Sequence, residues 1–380
     1  MPIVIDLFAG AGGLSLGAAR AGFTVGSAVE LDHSAISSHI SNFPNTIHIQ
    51  KDIMELSGSD ILQLSGISRN DLIGIIGGPP CQGFSTIGKG NVDDKRNELF
   101  VKFFEIVAEL QPVFFLAENV PGIMNEKYNS IRSKAFKKIN NYTLLDPISV
   151  NASDYGAPTT RTRYFFIGYR ECEAIHPFTK LDIENSKVVD NDRTTVHQAL
   201  EGLQSNIHYT KTFKSTKLLN RDYFNVDREH IQSDFFYQHT TGNIPNNVGN
   251  ADYIRIYTNQ HLVNGCVPTK HSATVRRRYA NLKYNEQDKI SKSKRLDPNG
   301  YCPTLRAGTG PDKGSYQAVR PIHYKYNRVI TPREAARLQG FPDWYKLPET
   351  IWHSFRQIGN SVSPIVAERV LSVIYQKLTL

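Results

Sequence analysis

Through the first 170 residues, short apolar runs alternate with longer segments of helical periodicity. Ile3 to Phe8, Thr24 to Val29, Thr46 to Ile49, Leu72 to Ile76, Val113 to Ala117 and Tyr164 to Ile167 read as strands. Between the fourth and fifth, Leu99, Phe103, Ile106, Val107 and Leu110 recur at spacings of four, three, one and three, the stripe of a helix that buries one face. This alternation predicts an α/β fold, a doubly wound and mostly parallel sheet covered on both sides. Beyond Gly168 the pattern dissolves into polar, loop-rich sequence. It returns at Thr331, where Pro332 opens a helix in its first turn, and Pro364 to Leu378 reads as a closing helix. The expected division is a first domain over 1–170, an inserted, smaller and irregular domain over 171–327, and a return to the first over 328–380.

Composition changes this picture in one place. The chain of 380 residues carries a formal net charge of +8 and is 40% hydrophobic, enough to fill two ordinary cores. Lys211 to Gly300 holds 15 Lys and Arg against 8 Asp and Glu, a net of +7, so the positive charge is concentrated in the irregular segment. A solvated face and a polyanion-binding surface are both consistent with that. No window approaches the apolar length of a membrane span, and a strand-like run begins almost at Met1, so the expectation is a cytoplasmic protein that needs no membrane. The four cysteines, at 81, 172, 266 and 302, are too widely spaced for a Cys-x-x-Cys site, and no metal is expected.

Candidate chemistry sits where the predicted strands end. Asp6-Leu7-Phe8-Ala9-Gly10-Ala11-Gly12-Gly13 lies between a strand and a helix, the setting of a glycine-rich nucleotide loop. Glu30 ends the second strand and is placed to accept the ribose hydroxyls of an adenosine, and Asp52 follows the third. The spacing departs from Gly-x-Gly-x-x-Gly, which tilts the choice from a dinucleotide towards S-adenosylmethionine. In Gly77-Gly78-Pro79-Pro80-Cys81 the prolines must terminate the fourth strand. Cys81 therefore stands just past a strand end and reads equally as a buried hydrophobe or a nucleophile. Glu118-Asn119-Val120 follows the fifth strand and Arg161-Thr162-Arg163 precedes the sixth, so a thiol, a carboxyl group and guanidinium groups can converge on one cleft.

These blocks together resemble the DNA (cytosine-5)-methyltransferase family. The matching stretches are Asp6 to Gly13, Gly78-Pro79-Pro80-Cys81-Gln82-Gly83-Phe84-Ser85, Glu118-Asn119-Val120, Arg161-x-Arg163, Thr331 to Asp343, and Gln357-Ile358-Gly359-Asn360-Ser361-Val362. The resemblance implies methyl transfer from S-adenosyl-L-methionine to C5 of a flipped-out cytosine in duplex DNA, through a covalent bond from Cys81 to C6. It implies catalytic roles for Glu118, at N3 of the base, and for Arg161 and Arg163. It places Phe8, Ala9, Gly10, Gly12, Gly13, Glu30, Leu31, Asp52, Ile53, Pro79, Asn360 and Ser361 around the cofactor. Leu31 stands where the family often has an aromatic residue, and Thr159 where it usually has glutamine.

By the same resemblance, residues 171–327 form the target-recognition domain. Gln82, Ser85, Arg295, Thr304 and Arg306 are then expected to touch DNA, the two arginines as candidate readers of guanine. Arg276-Arg277-Arg278 reads as a backbone contact. The expected protein is a monomeric modification enzyme of a restriction-modification system, associated with the nucleoid through DNA. Rival readings are a tRNA cytosine-5 methyltransferase on the same scaffold, a non-catalytic adenosyl-binding protein, and a flavin or nicotinamide oxidoreductase.

Overall fold

A computed structural model describes residues 1–80, 97–203, 224–227, 234–242, 244–307 and 319–379. Its contacts divide the chain into two compact units: Met1–Asn151, Thr162–Lys187 and Val366–Leu380 form the first, Ala152–Arg161 and Val188–Ile365 the second. Residues 171–187 thus pack with the first unit, and 328–365 with the second.

The first unit alternates strand and helix as the apolar runs predict: β1 (Ile3–Leu7), α1 (Gly13–Arg20), β2 (Thr24–Val29), α2 (His33–Asn42), β3 (Ile47–Ile49), α3 (Gly58–Ser65), β4 (Leu72–Gly77), α4 (Glu98–Leu110), β5 (Phe114–Asn119), α5 (Asn129–Phe136), β6 (Thr143–Leu144), β7 (Ile148–Asn151) and β8 (Thr162–Tyr169). The sheet order is β3-β2-β1-β4-β5-β8-β6, with β7 also paired to β8. β1 to β5 are parallel. The chain runs outward from β1 to β3 and then returns to lay β4 on the other side of β1. Such a reversal opens a crevice at the carboxyl ends of the strands, where ligands bind in open α/β sheets.

The sixth predicted strand is the exception that a mostly parallel sheet allows. β8 runs antiparallel to β5, and the short strands β6 and β7 pair antiparallel with it. Periodicity reports burial and says nothing of strand direction. β7 was legible only as a four-residue alternation, with Ile148 and Val150 buried and Ser149 exposed.

α4 packs the predicted stripe into the core, where Phe103, Ile106, Val107 and Leu110 are buried and Leu99 is half-buried. Phe100 and Phe104 widen it. They meet Phe115, Phe136 and Phe166 edge to face, at centroid separations of 5.4 to 6.4 Å. That apolar block fixes β4 and β5 side by side, and with them the two strand ends that carry Gly78 and Glu118. The C-terminal helix Pro364–Lys377 agrees with the sequence expectation, and from residue 366 it belongs to this unit.

In the second unit the helix Pro332–Gln339 is buried along its whole length, charged residues included. Thr331 and Glu334 cap it reciprocally, Pro332 opens it and Gly340 closes it in the left-handed region at φ 92°. Its charges are satisfied internally. Arg333 donates to Asn264 O and Oδ1, Tyr253 Oη, Pro342 O and Tyr345 O. Arg328 grips Glu334 at 2.8 Å through both guanidinium Nη atoms.

Candidate active site

The glycine-rich turn leaves β1 with Phe8 at φ 63°, Gly10 at 56° and Gly12 at 86°, a run of left-handed backbone that glycine adopts without steric cost. Gly12 caps α1 without a side chain. Glu30, at the end of β2, accepts from Gly10 N–H at 2.9 Å with one oxygen and from Asp32 N–H at 2.8 Å with the other. Burial raises the Glu30 carboxyl above its usual range, and these two backbone donors draw it back down. Leu31 is 60% exposed, a large apolar surface beside that carboxylate. Asp52 accepts from Met54 N–H at 3.0 Å as the cap of a short 3₁₀ turn, while the Ile53 side chain lies in the core. The left-handed glycine turn, a positioned carboxylate and an uncovered apolar side chain together fit an adenosyl group.

Beneath the turn lies Asp6, 1% exposed and raised from 3.8 to about 7 by burial, with Glu30 adding repulsion and the Ser15 hydroxyl opposing the shift. The folded chain therefore binds a proton there that the unfolded chain releases from about pH 4 upward. Stability from this group is full in acid and is eroded as pH rises to about 7. Asp6→Asn is accordingly expected to raise the thermal midpoint relative to the parent more at pH 8 than at pH 5; a difference constant with pH would contradict this.

The second half of the site gathers at β4, β5 and β8. Glu118, 7% exposed, lies near the end of β5, and a Cβ built on Gly78 would stand 3.3 Å from its Oε2. Arg163 Nε is 2.8 Å from Glu118 Oε1, but its N–H is not aimed at that oxygen. The pair is ionic without a hydrogen bond, and Oε1 is buried with no aligned donor among the described residues. Arg163 also donates to Thr162 O at 2.7 Å. Asn119 donates to Pro79 O at 3.3 Å and accepts from Val120 N–H at 2.9 Å, tying the end of β5 to the segment that leads out of β4. Cys81, Gln82 and Ser85 lie outside the described residues.

Two arginines sit differently from their sequence reading. Arg161, expected beside Arg163, is 3% exposed in the second unit and donates to Gly359 O at 2.9 Å, Asn360 O at 3.3 Å and Leu305 O at 3.4 Å. Arg295, expected to reach a guanine, is 9% exposed and donates to Tyr279 O, Tyr324 O and Asn327 Oδ1 at 2.7 to 3.2 Å. A guanidinium committed in this way has no free edge for a base. Arg306 is exposed, with Thr304 half-buried two residues before it. Asn360 is exposed, whereas the Ser361 hydroxyl is turned inward to Gln357 O at 2.8 Å. Thr159 is fully buried and donates to Cys302 O at 2.9 Å.

Comparison with known proteins settles the family. Residues 3–376 match the model of the C-5 cytosine-specific DNA methylases. The chain belongs to that family. Among relatives, the type II methyltransferase M.XorII of Xanthomonas oryzae pv. oryzae is 37% identical over 97% of this chain and 83% of its own length. M.DdeI of Desulfomicrobium norvegicum is 32% identical over 96% and 86%. A solved structure, provisionally described as a DNA modification methyltransferase encoded within an E. coli prophage, is 48% identical over 99% of both chains with a TM-score of 0.84. The Dnmt2 methyltransferase of S. pombe, at 16% identity and a TM-score of 0.63, shares the fold. The protein is thus a DNA (cytosine-5) methyltransferase with the methyltransferase α/β fold. Among the described residues, no helix is long and apolar enough to cross a membrane, and no cluster of His, Cys, Asp and Glu could hold a metal ion.

The site also contains residues that sequence reading passed over. Asp32 holds Glu30 through its backbone, a role that no side-chain pattern announces. Asn119 was quoted only as part of a motif, and its link to Pro79 O gives it a positioning role.

Proposed function

We propose that this methylase acts on one cytosine within a specific duplex DNA sequence, using S-adenosyl-L-methionine, with Cys81 as the nucleophile. The observation that carries the reading is the buried Glu118 carboxylate, whose Oε1 lacks an aligned donor, beside the strand end that runs through Gly78 and Pro79 towards Cys81. Cytosine C5 is a poor nucleophile. A thiolate from Cys81 bonds to C6 and pushes an electron pair towards N3, where a proton shared with Glu118 stabilises it. Arg163 faces the O2 side and keeps the Glu118 carboxylate in place. S-adenosylmethionine, when bound, supplies an electrophilic methyl group. Once C5 carries that methyl, loss of its proton returns the electron pair to the ring and expels the cysteine, so the thiolate is regenerated.

Glu30, Leu31, Phe8 and the Gly10 to Gly13 turn would hold the adenosyl group, with Asp52 and Pro79 as further contacts. A stacked base cannot be attacked above its plane, so the cytosine is flipped out, at about a few kcal/mol recovered from phosphate contacts. Thr304 and the exposed Arg306 would meet DNA, and Gln82 and Ser85 follow the nucleophile in sequence. Residues 171–327 carry target recognition. The type II relatives support a place in a restriction-modification system; in this reading the enzyme works there as a monomer in the cytoplasm.

Bisulfite sequencing of DNA from a host expressing the protein is expected to show protected cytosines in one fixed sequence context. Duplex DNA with 5-fluorocytosine at that position should yield a denaturation-stable adduct, because fluorine cannot leave as a proton does. Methylation of tRNA in place of duplex DNA, or turnover without any adduct, would overturn the reading.

A further inference from the structure

A chain of four polar side chains, three of them buried, runs beneath the glycine-rich turn. Ser15 Oγ donates to Asp6 Oδ2 at 2.5 Å, His39 Nε2 lies 3.0 Å from Ser15 Oγ, and His39 Nδ1 lies 2.9 Å from His48 Nε2. Asp6, Ser15 and His39 are at most 1% exposed, and His48, on β3, is half-buried. His39 stacks on Phe43 at 4.3 Å. Burial, reinforced by the neighbouring His48, holds the His39 imidazole well below its usual range, so it is neutral.

The hydrogen-bond directions follow from donor and acceptor counts. Ser15 has one hydroxyl proton, and it points to Asp6 Oδ2. Ser15 Oγ must then accept from His39 Nε2–H. A neutral His39 carrying its proton on Nε2 has a bare Nδ1, which accepts from His48 Nε2–H. Each member sets the orientation of the next, from the half-buried end inward.

The chain ends on the turn that the adenosyl reading uses. Asp6 lies in β1 and Ser15 in the first turn of α1, so their bond closes the segment Leu7–Leu14, which contains Phe8, Gly10 and Gly12. The middle of that segment is held by Glu30 through Gly10 N–H. We propose that His39 is a positioning residue for the adenosyl cofactor: through Ser15 it keeps the base of the glycine-rich turn closed, and His48 sets its tautomer. The inference rests on the assignment of that turn as the cofactor site.

The test titrates the full chain with S-adenosylhomocysteine by calorimetry, alongside KM, kcat and thermal midpoints. His39→Phe preserves the stacking on Phe43 and is expected to raise the dissociation constant and the KM for S-adenosylmethionine about tenfold, with kcat within about twofold. His39→Gln, which retains a donor at the Nε2 position, should restore affinity to within about threefold of the parent. Should His39→Phe fail to fold, Ser15→Ala is expected to show the same tenfold weakening, since alanine suits a helix and removes only the hydroxyl. Affinity within twofold of the parent in either variant, or a His39→Gln protein as weak as His39→Phe, would refute the positioning role. A parent protein that does not bind S-adenosylhomocysteine would instead overturn the assignment of the cofactor site itself.

Discussion

Serine in place of Cys81 is expected to abolish methyl incorporation into duplex DNA, by about four orders of magnitude or more. The alcohol is nearly isosteric, but at neutral pH it supplies almost no anion, and nothing in the proposed chemistry offers it a base. Binding of S-adenosylhomocysteine should be nearly unaffected, because the Cys81 thiol is not among the groups assigned to the adenosyl moiety. The measurement is therefore a pair: incorporation from a labelled methyl donor, and calorimetric titration of the same preparation. Substantial residual turnover would remove Cys81 from the reaction. Equal loss of turnover and binding would indicate a collapsed fold and would also count against the assignment.

The largest expected effect on stability lies elsewhere. Arg337 is fully buried and holds Asp343, itself 0% exposed, through two bonds of 2.9 and 2.6 Å, and it also donates to Ala199 O and Glu201 O. Arg337→Ala leaves a buried carboxylate without its partner, a change that costs about 3–5 kcal/mol. Urea or thermal unfolding should show that loss. The double variant Arg337→Met with Asp343→Leu should recover much of it, since removing both charges also removes the desolvation penalty. At Arg306, which is exposed, truncation should shift stability by no more than about 0.5 kcal/mol while weakening DNA binding. A destabilised Arg306→Ala protein, or an unaffected Arg337→Ala protein, would contradict this division between structural and nucleic-acid-facing arginines.

That division marks the limit of what was legible in the amino-acid order. The buried strands and the α4 stripe could be read because burial imposes a period. Glu30 and Glu118 could be placed because strand ends in such a sheet face the ligand crevice. The fate of each arginine could not be read, since burial of a guanidinium depends on carbonyls brought from distant parts of the chain. Arg295 stands in Arg295-Leu296-Asp297-Pro298-Asn299-Gly300, which has the composition of an exposed loop, yet its partners Tyr279, Tyr324 and Asn327 lie 16 to 32 residues away. The buried chain through Ser15, His39 and His48 was silent for the same reason. One histidine falls on a helix and the other on a three-residue strand, and neither spacing signals a meeting.

Arg161 and Gly359 together carry a further consequence. The guanidinium binds the carbonyls of Leu305, Gly359 and Asn360, and a Cβ on Gly359 would stand 2.7 Å from the backbone of Arg306 and Ala307. The stretch bearing Arg306 is thus moored to a fixed quay up to Ala307. Grafting foreign sequence downstream of that berth leaves the mooring intact, whereas any change of length upstream of it casts Arg306 adrift.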